Sequence, residues 1–322
     1  NGSRWAGLSE IGLEQVSLGI AQLSVTANDA VFEEPSTFFG DRGVFGGGRA
    51  SGVNRNTIDY ITISTTGNAT DFGDTNNSLE GMAGCSDGSR GLFAGGRSGS
   101  NLNVIDYITI ATPGNATDFG DLTTARSFAG GCSGGGRGLF GGGSTGSLTN
   151  VIDYVTIATT GNAIDFGDLT VARRIMGACS DGSRGVWAGG LSASPTNEID
   201  YVTIDTTGNA TDFGDVTVSR YSIGGCADET RGVFGGGFTS TSVNTIDYIT
   251  IQTTGNATDF GDLSVTRFGA GACANGTRGV FSGDGTTATT VIDYVTIQTT
   301  GNATDFGDST LGREAPAGLS GD

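Results

Sequence analysis

The chain repeats a segment of 46 to 48 residues six times, and this repetition limits its fold more than any other feature. Three motifs recur in every copy: Arg-Gly-(Val/Leu)-(Phe/Trp), Ile-Asp-Tyr-(Ile/Val)-Thr-Ile and Gly-Asn-Ala-(Thr/Ile)-Asp-Phe-Gly-Asp. In the first copy they start at Arg42, Ile58 and Gly67. Because so short a unit cannot bury a core alone, the copies are expected to cover one another.

Each repeat has the pattern of four short strands. In the second copy, residues 105–110 are mostly β-branched or aromatic, with apolar side chains on both faces. Gly114 and Asn115 then favour a turn, so residues 118–121 are expected to return antiparallel. The segments around Cys132 and at 137–140 supply two more strands. One aromatic position is expected to wedge between units, at Phe45, Phe93, Phe140, Trp187, Phe234 and Phe281.

Four antiparallel strands in a period of about 40 to 50 residues are typical of a propeller blade. The sequence therefore predicts an all-β fold, a six-bladed β-propeller over residues 37–322, preceded by an N-terminal arm at 1–36. Aligning Asp308 with Asp262 places residues 315–322 on the strand around Cys273. Only the first motif, at Arg42, lacks such a preceding strand. The C-terminal strand is thus predicted to complete the first blade.

The composition of the chain excludes several common kinds of catalytic residue. The chain has 34 acidic residues, 16 basic residues that are all Arg, and no His, giving a formal charge of −18. It therefore lacks a histidine base, a lysine Schiff base and a P-loop lysine. The charge opposes nucleic acid, and no apolar run approaches the roughly 18 residues of a membrane span. We expect no enzyme activity, catalytic residue, cofactor or metal, although a hydrolase using Asp, Glu, Tyr and Arg stays open.

The repeat resembles the kelch family. Doublets such as Gly95-Gly96 stand where kelch repeats carry theirs, Ile-Asp-Tyr resembles the next strand with Asp and Tyr reversed, and the Phe of Asp-Phe-Gly-Asp takes the place of the kelch Trp. The later kelch Arg has counterparts at Arg126, Arg173, Arg220, Arg267 and Arg313. The first copy departs with Leu79 at that position, and the sixth has Gly283-Asp284 instead of the doublet. The resemblance implies a propeller from about residue 37 to 322.

More narrowly, the tandem Ile-Asp-Tyr-Val-Thr-Ile and Gly-Asn-Ala-Thr-Asp-Phe-Gly-Asp motifs are similar to repeats in virion structural proteins of tailed phages, especially phages of marine bacteria and cyanobacteria. The resemblance implies a non-enzymatic surface or tail protein of the extracellular virion. Its partners would be other virion proteins and a host-surface glycan or protein. A secreted bacterial adhesin or lectin is the alternative. A glycan hydrolase is more distant, since residues 180–187 match a sialidase Asp-box poorly.

Three sets of repeated polar residues have structural interpretations. Packed sheets lie about 10 Å apart, whereas a disulfide needs Cα atoms within about 7 Å, so the cysteines are expected to be buried free thiols. They are Cys85, Cys132, Cys179, Cys226 and Cys273. Asp71, Asp74 and their counterparts are expected to cap turns, with calcium binding as the alternative. Asn68 and its Asn-Ala-Thr equivalents are interpreted as turn residues rather than glycan acceptors.

Positions that differ between repeats are the candidates for binding. One set follows the glycine doublets, as in residues 49–56 and 97–103, and the other follows the kelch-like Arg. In an up-and-down blade both connections emerge on one face, here termed the variable face. Aromatic and Arg residues are favoured anchors of recognition, which makes the candidate binding residues Arg174, Tyr221, Phe268, Arg49, Arg97 and Phe238. The alternative is that the repeats drifted freely at these positions.

The N-terminal arm, residues 1–36, stands outside the repeats. Val16, Leu18 and Ile20, followed by Leu23 and Val25, alternate with other residues as in a half-buried strand. The arm is expected either to dock the propeller onto another virion subunit or to form an internal cover strand.

Overall fold

The computed structural model describes residues 40–285 and 289–321, and every regular element within these ranges is a β-strand. The strands form six four-stranded antiparallel sheets, which confirms the predicted all-β, six-bladed propeller. This part of the chain contains no helix of the length and apolarity that crossing a bilayer requires. The predicted N-terminal arm, with its alternating strand pattern, lies outside the described residues.

Each sheet is one blade with its strands ordered from the axis outward. The innermost strands of blades 1 to 6 are Ala317–Gly321, Ala83–Ser86, Gly130–Gly134, Gly177–Ser180, Gly224–Ala227 and Gly271–Ala274. The second strands are Arg42–Gly46, Arg90–Ala94, Arg137–Gly141, Arg184–Ala188, Arg231–Gly235 and Arg278–Ser282. Both strands carry small residues, because they lie where the ring is most crowded.

The two outer strands hold the other repeat motifs. The third strands are Thr57–Thr62, Val104–Thr109, Val151–Thr156, Glu198–Thr203, Val243–Thr250 and Val291–Thr296. The outermost strands are Thr70–Asp74, Thr117–Asp121, Ile164–Asp168, Thr211–Asp215, Thr258–Arg267 and Thr304–Asp308. Blades 1 and 2 each carry an additional pair of two-residue strands. The pair is Arg49–Ala50 with Val53–Asn54 in blade 1 and Arg97–Ser98 with Ser100–Asn101 in blade 2.

The ring is closed by the C-terminal strand, as the sequence predicts. Ala317–Gly321 pairs antiparallel with Arg42–Gly46, with Arg42 opposite Gly321. Each innermost strand contacts the innermost strands of both neighbouring blades, and the contacts return from blade 6 to blade 1. The first blade is therefore assembled from the two ends of the propeller sequence.

The core consists of layers between adjacent blades. Leu92 and Phe119 of blade 2, for example, cluster with Phe140 and Ile157 of blade 3. The predicted wedge residues, one per blade, are at most 1% exposed, so they are core residues rather than ligand-stacking ones. Burial of such a side chain contributes about 1.5–3 kcal/mol. The blades are thus held together chiefly by apolar layers.

Adjacent blades approach so closely that a cysteine of one touches the backbone of the next. The five cysteines are free and buried, as predicted. A Cβ placed on Gly185 would lie 2.7 Å from Sγ of Cys132, and the other cysteines face glycines in the same way. Burial raises the pKa of the thiols, that of Cys226 to about 12, which keeps them protonated. A small side chain facing a glycine therefore sets the blade spacing.

Candidate binding face

Beneath the variable face, buried ion pairs anchor the connections between blades. Arg126 leaves blade 2 and pairs with Asp153 on the third strand of blade 3 at 3.0 Å, with the two side chains 1% and 0% exposed. Its guanidinium also donates to the carbonyl oxygens of Phe140 and Val151. Equivalent pairs are Arg173–Asp200, Arg220–Asp247, Arg267–Asp293 and Arg313–Asp59. The sequence aligned these Arg residues with the later kelch Arg but did not reveal their partners.

The same aspartates also accept hydrogen bonds from the preceding connection. The backbone N–H and the Oγ1 hydroxyl of Thr123 donate to the two carboxylate oxygens of Asp153, at 3.1 and 2.7 Å. Thr170, Thr217, Ser264 and Thr310 occupy the equivalent place in other blades. A buried carboxylate needs such compensation. Each aspartate therefore fixes a connection of the variable face at two points.

Asp106 of blade 2 is the exception, because Leu79 replaces its arginine. This carboxylate is 2% exposed and is held by Asn76, whose Nδ2 and backbone N–H donate to it at 2.7 and 3.1 Å. Burial raises the pKa of Asp106, the negative charge of Asp118 adds to the rise, and the Asn76 hydrogen bonds offset it only in part. The seam before blade 2 thus carries a buried acid that has no counter-ion among the described residues.

A ring of strained residues surrounds the axis at the variable face. Phe128, Ile175, Ser222 and Ala315 have φ between 51° and 61°, at the place where blades 2 and 6 have Gly81 and Gly269. This conformation aims each N–H at the preceding blade, so that Phe128 donates to Gly81 O and Ile175 to Phe128 O, at 2.7 and 2.9 Å. Three more bonds continue around the ring. A β-branched residue such as Ile175 adopts positive φ only at a cost of about 1–3 kcal/mol.

The ring opens onto an axial cavity of about 120 Å³. Its lining includes Met82, Phe128, Ile175, Ile223 and Pro316, together with backbone of the innermost strands. The side chains that narrow the opening of this cavity, here termed the mouth, therefore differ from blade to blade.

The two variable segments of each blade meet. Residues that follow the kelch-like Arg position form isolated β-bridges with the loops that follow the glycines, namely Glu314 with Arg49, Glu80 with Arg97, Ser127 with Ser144, Arg174 with Leu191, and Tyr221 with Phe238. In blade 6 the Gly285 N–H donates to the carbonyl oxygen of Phe268 at 2.9 Å, so all six candidate binding residues lie on one face of the propeller, and each is half-buried.

Over blades 1 and 2 this face carries charges that neutralise one another. Arg97 Nε donates to Glu80 at 2.8 Å, and Arg49 lies 3.9 Å from Glu80 and 3.8 Å from Glu314. The pKa of Glu314 is raised by burial and by the nearby Glu80. Two of the candidate residues, Arg49 and Arg97, are thus engaged within the protein.

Over blades 3 to 6 the face is aromatic. The rings of Tyr221 and Phe238 are 5.5 Å apart and those of Phe238 and Phe268 are 5.3 Å apart. Arg174 lies over Phe128 at 5.9 Å, and none of the ion pairs among the described residues includes Arg174. Its Nε atom is buried without a hydrogen-bond partner.

The remaining arginines belong to the scaffold. Those that begin the second strands stack over a tyrosine of their own blade and donate to a carbonyl oxygen of the next blade, as Arg90 does with Tyr107 and Ile157. The set is Arg42, Arg90, Arg137, Arg184, Arg231 and Arg278. Positive charge outside these sets occurs, among the described residues, only on the variable face, at Arg49, Arg55, Arg97 and Arg174.

At the outer rim, capping is carried out by asparagine. Asn115 Oδ1 accepts from the backbone N–H of Asp74 at 3.0 Å, which links blade 2 to blade 1. The equivalent bond between Asn68 and Asp308 joins blade 1 to blade 6. In the described ranges no three His, Cys, Asp or Glu side chains come together as a metal site would require.

Comparison with known proteins gives no assignment. No model of a known protein family matches the chain, and no curated protein matches it either. The six-bladed architecture is consistent with a kelch-like repeat.

Proposed function

We propose that the chain is a non-enzymatic binding propeller, a structural protein of a phage virion surface or tail, which contacts partner proteins and recognises a host surface through its variable face. The observation that carries this proposal is a contrast within each repeat. The Arg–Asp pairs and the core aromatic positions recur between blades and are buried, whereas the candidate residues that differ, such as Tyr221 and Phe238, meet on one face and stay half-exposed. Motif resemblance supports the virion setting.

Binding of the labelled full chain to a panel of marine bacteria and cyanobacteria tests the proposal. We expect the double variant Tyr221→Ala/Phe268→Ala to lose binding, because aromatic anchors contribute most to recognition. The control is Ile164→Thr, which removes a 60% exposed apolar side chain from an outermost strand and restores the residue of the other blades. Equal binding by all three proteins would count against the variable face.

Two further measurements separate the alternatives. Mass spectrometry of purified phage particles is expected to detect the chain, and its presence only in bacterial culture supernatant would favour a secreted adhesin or lectin. A glycoside-release assay with the full chain is expected to show no product, and turnover would favour the hydrolase.

A further inference from the structure

We infer that the variable face holds its ligand site in an aromatic arc, formed by Phe128, Arg174, Tyr221, Phe238 and Phe268, and that the ligand is a saccharide bearing a carboxylate. The inference rests on the proposed function and narrows it to one sector of the face and one class of ligand.

The charged sector over blades 1 and 2 is a poor site. Arg49 and Arg97 are neutralised by Glu80 and Glu314, and Glu80 has a side chain only 10% exposed. A ligand binding there would have to replace existing ion pairs, so it would gain little. Among the described residues no ion pair lies within the arc, and Arg97 reaches it only by stacking over Phe128 at 5.1 Å.

Arg174 supplies the charge recognition. It is the arginine of the arc, and none of the ion pairs among the described residues includes it. A guanidinium fork matches a carboxylate with two parallel hydrogen bonds. Phe128 beneath it limits the positions that the side chain adopts. An anionic group is therefore the complementary ligand chemistry.

The aromatic rings select for a compact ligand with apolar ring faces. Tyr221, Phe238 and Phe268 form a continuous half-exposed cluster next to the mouth. Three half-buried rings offer far less than the roughly 800 Å² per partner of a stable protein interface. Their electron-rich faces attract C–H groups such as those of a pyranose. The inter-blade hydrogen bonds of Phe128 and Ser222 fix the backbone below, which reduces the ordering cost of binding.

Binding of the full chain to an array of uronic-acid and sialic-acid oligosaccharides, printed beside their carboxyl-reduced counterparts and acidic peptides, tests the inference. We expect acidic glycans to bind at least about tenfold more tightly than their reduced forms. Arg174→Gln should abolish this preference, and Tyr221→Ala should weaken both forms about tenfold. Ile164→Thr, on an outermost strand away from the variable face, should leave glycan affinity unchanged.

The outcomes separate this inference from the proposed function. If cell binding depends on Tyr221 and Phe268 but no acidic glycan exceeds its reduced form, the ligand assignment is wrong and the proposed function stands. Preferential binding of acidic peptides would overturn the saccharide assignment in favour of a protein ligand. If neither cells nor array respond to any substitution on the face, both are wrong. Thermal melting of each variant confirms that it is folded.

Discussion

Asp153 and Asp106 occupy the same place in neighbouring blades but differ in what neutralises them. Asp153→Asn would leave Arg126 buried without its counter-ion and is expected to destabilise the fold by about 3–5 kcal/mol. Asp106→Asn leaves no buried arginine behind and should cost about 1 kcal/mol, the scale of one altered hydrogen bond. Urea unfolding of both variants measures the difference. Equal destabilisation would show that the ion pair does not distinguish the two sites.

The pH dependence of stability should report Asp106 separately. Burial raises its folded pKa, so its contribution to stability is fully present below the unfolded pKa, about 4, and is lost as pH rises through the folded pKa. The amide side chain introduced by Asp106→Asn is uncharged over the whole pH range. The stability of Asp106→Asn relative to the natural chain is therefore expected to rise between pH 4 and pH 7, as measured by urea unfolding at each pH. A constant difference would indicate no shift at Asp106.

Ile175 shows how a residue can be costly to the fold. Glycine adopts its φ of 61° without strain, and Gly81 and Gly269 do so at equivalent positions. Because Ile175 is only half-buried, Ile175→Gly should raise stability by about 1 kcal/mol through relief of strain. In the matched control, Gly81→Ala, the new Cβ would lie 2.5 Å from the Phe128 ring at positive φ, so stability should fall. Calorimetric melting compares the two, and a lower melting temperature for Ile175→Gly would refute the strain.

Between elements, the spacing of two blades depends on one cysteine facing one glycine. Gly185→Ala should destabilise by about 1–3 kcal/mol, because its Cβ would lie 2.7 Å from Sγ of Cys132. Cys132→Ala alone leaves a small cavity and should cost about 1 kcal/mol. In the variant that carries both substitutions, the methyl group added at position 185 fills space that the sulfur leaves. The destabilisation of this variant should therefore be less than the sum of the two single destabilisations. Additive costs in urea unfolding would mean that the two residues do not determine the spacing.

The strands were predictable from the sequence, but the contacts between them were not. β-branched runs such as residues 105–110 and turns such as Gly114-Asn115 are local signals, and the strands Val104–Thr109 and Thr117–Asp121 follow them. The pairing of Arg126 with Asp153 joins residues on different blades, and no local pattern specifies it. The positive φ of Ile175 also has no local signal. Its only trace in the sequence is Gly81 and Gly269 at equivalent positions.

At the scale of the whole molecule, near-identical repeats produce a scaffold, and the departures from identity define the site. The six-fold motif count predicted the blade number, and the position of residues 315–322 predicted the closure. The sequence also placed Arg49 and Arg97 among the candidate binding residues. Side-chain packing then determined that Glu80 and Glu314 engage them, whereas none of the ion pairs among the described residues includes Arg174. Which variable residue is available to a ligand therefore depends on tertiary contacts.

Closure of the ring is required for the mouth and the variable face, because both exist only if blade 1 is complete. The most direct test is the melting temperature of a chain that lacks residues 313–322. The truncation removes the inner strand that pairs with Arg42–Gly46 and leaves Asp59 buried without Arg313. We expect the melting temperature to fall by at least about 10 °C, and to recover when a synthetic peptide of residues 313–322 is added. An unchanged melting temperature would contradict the closed ring.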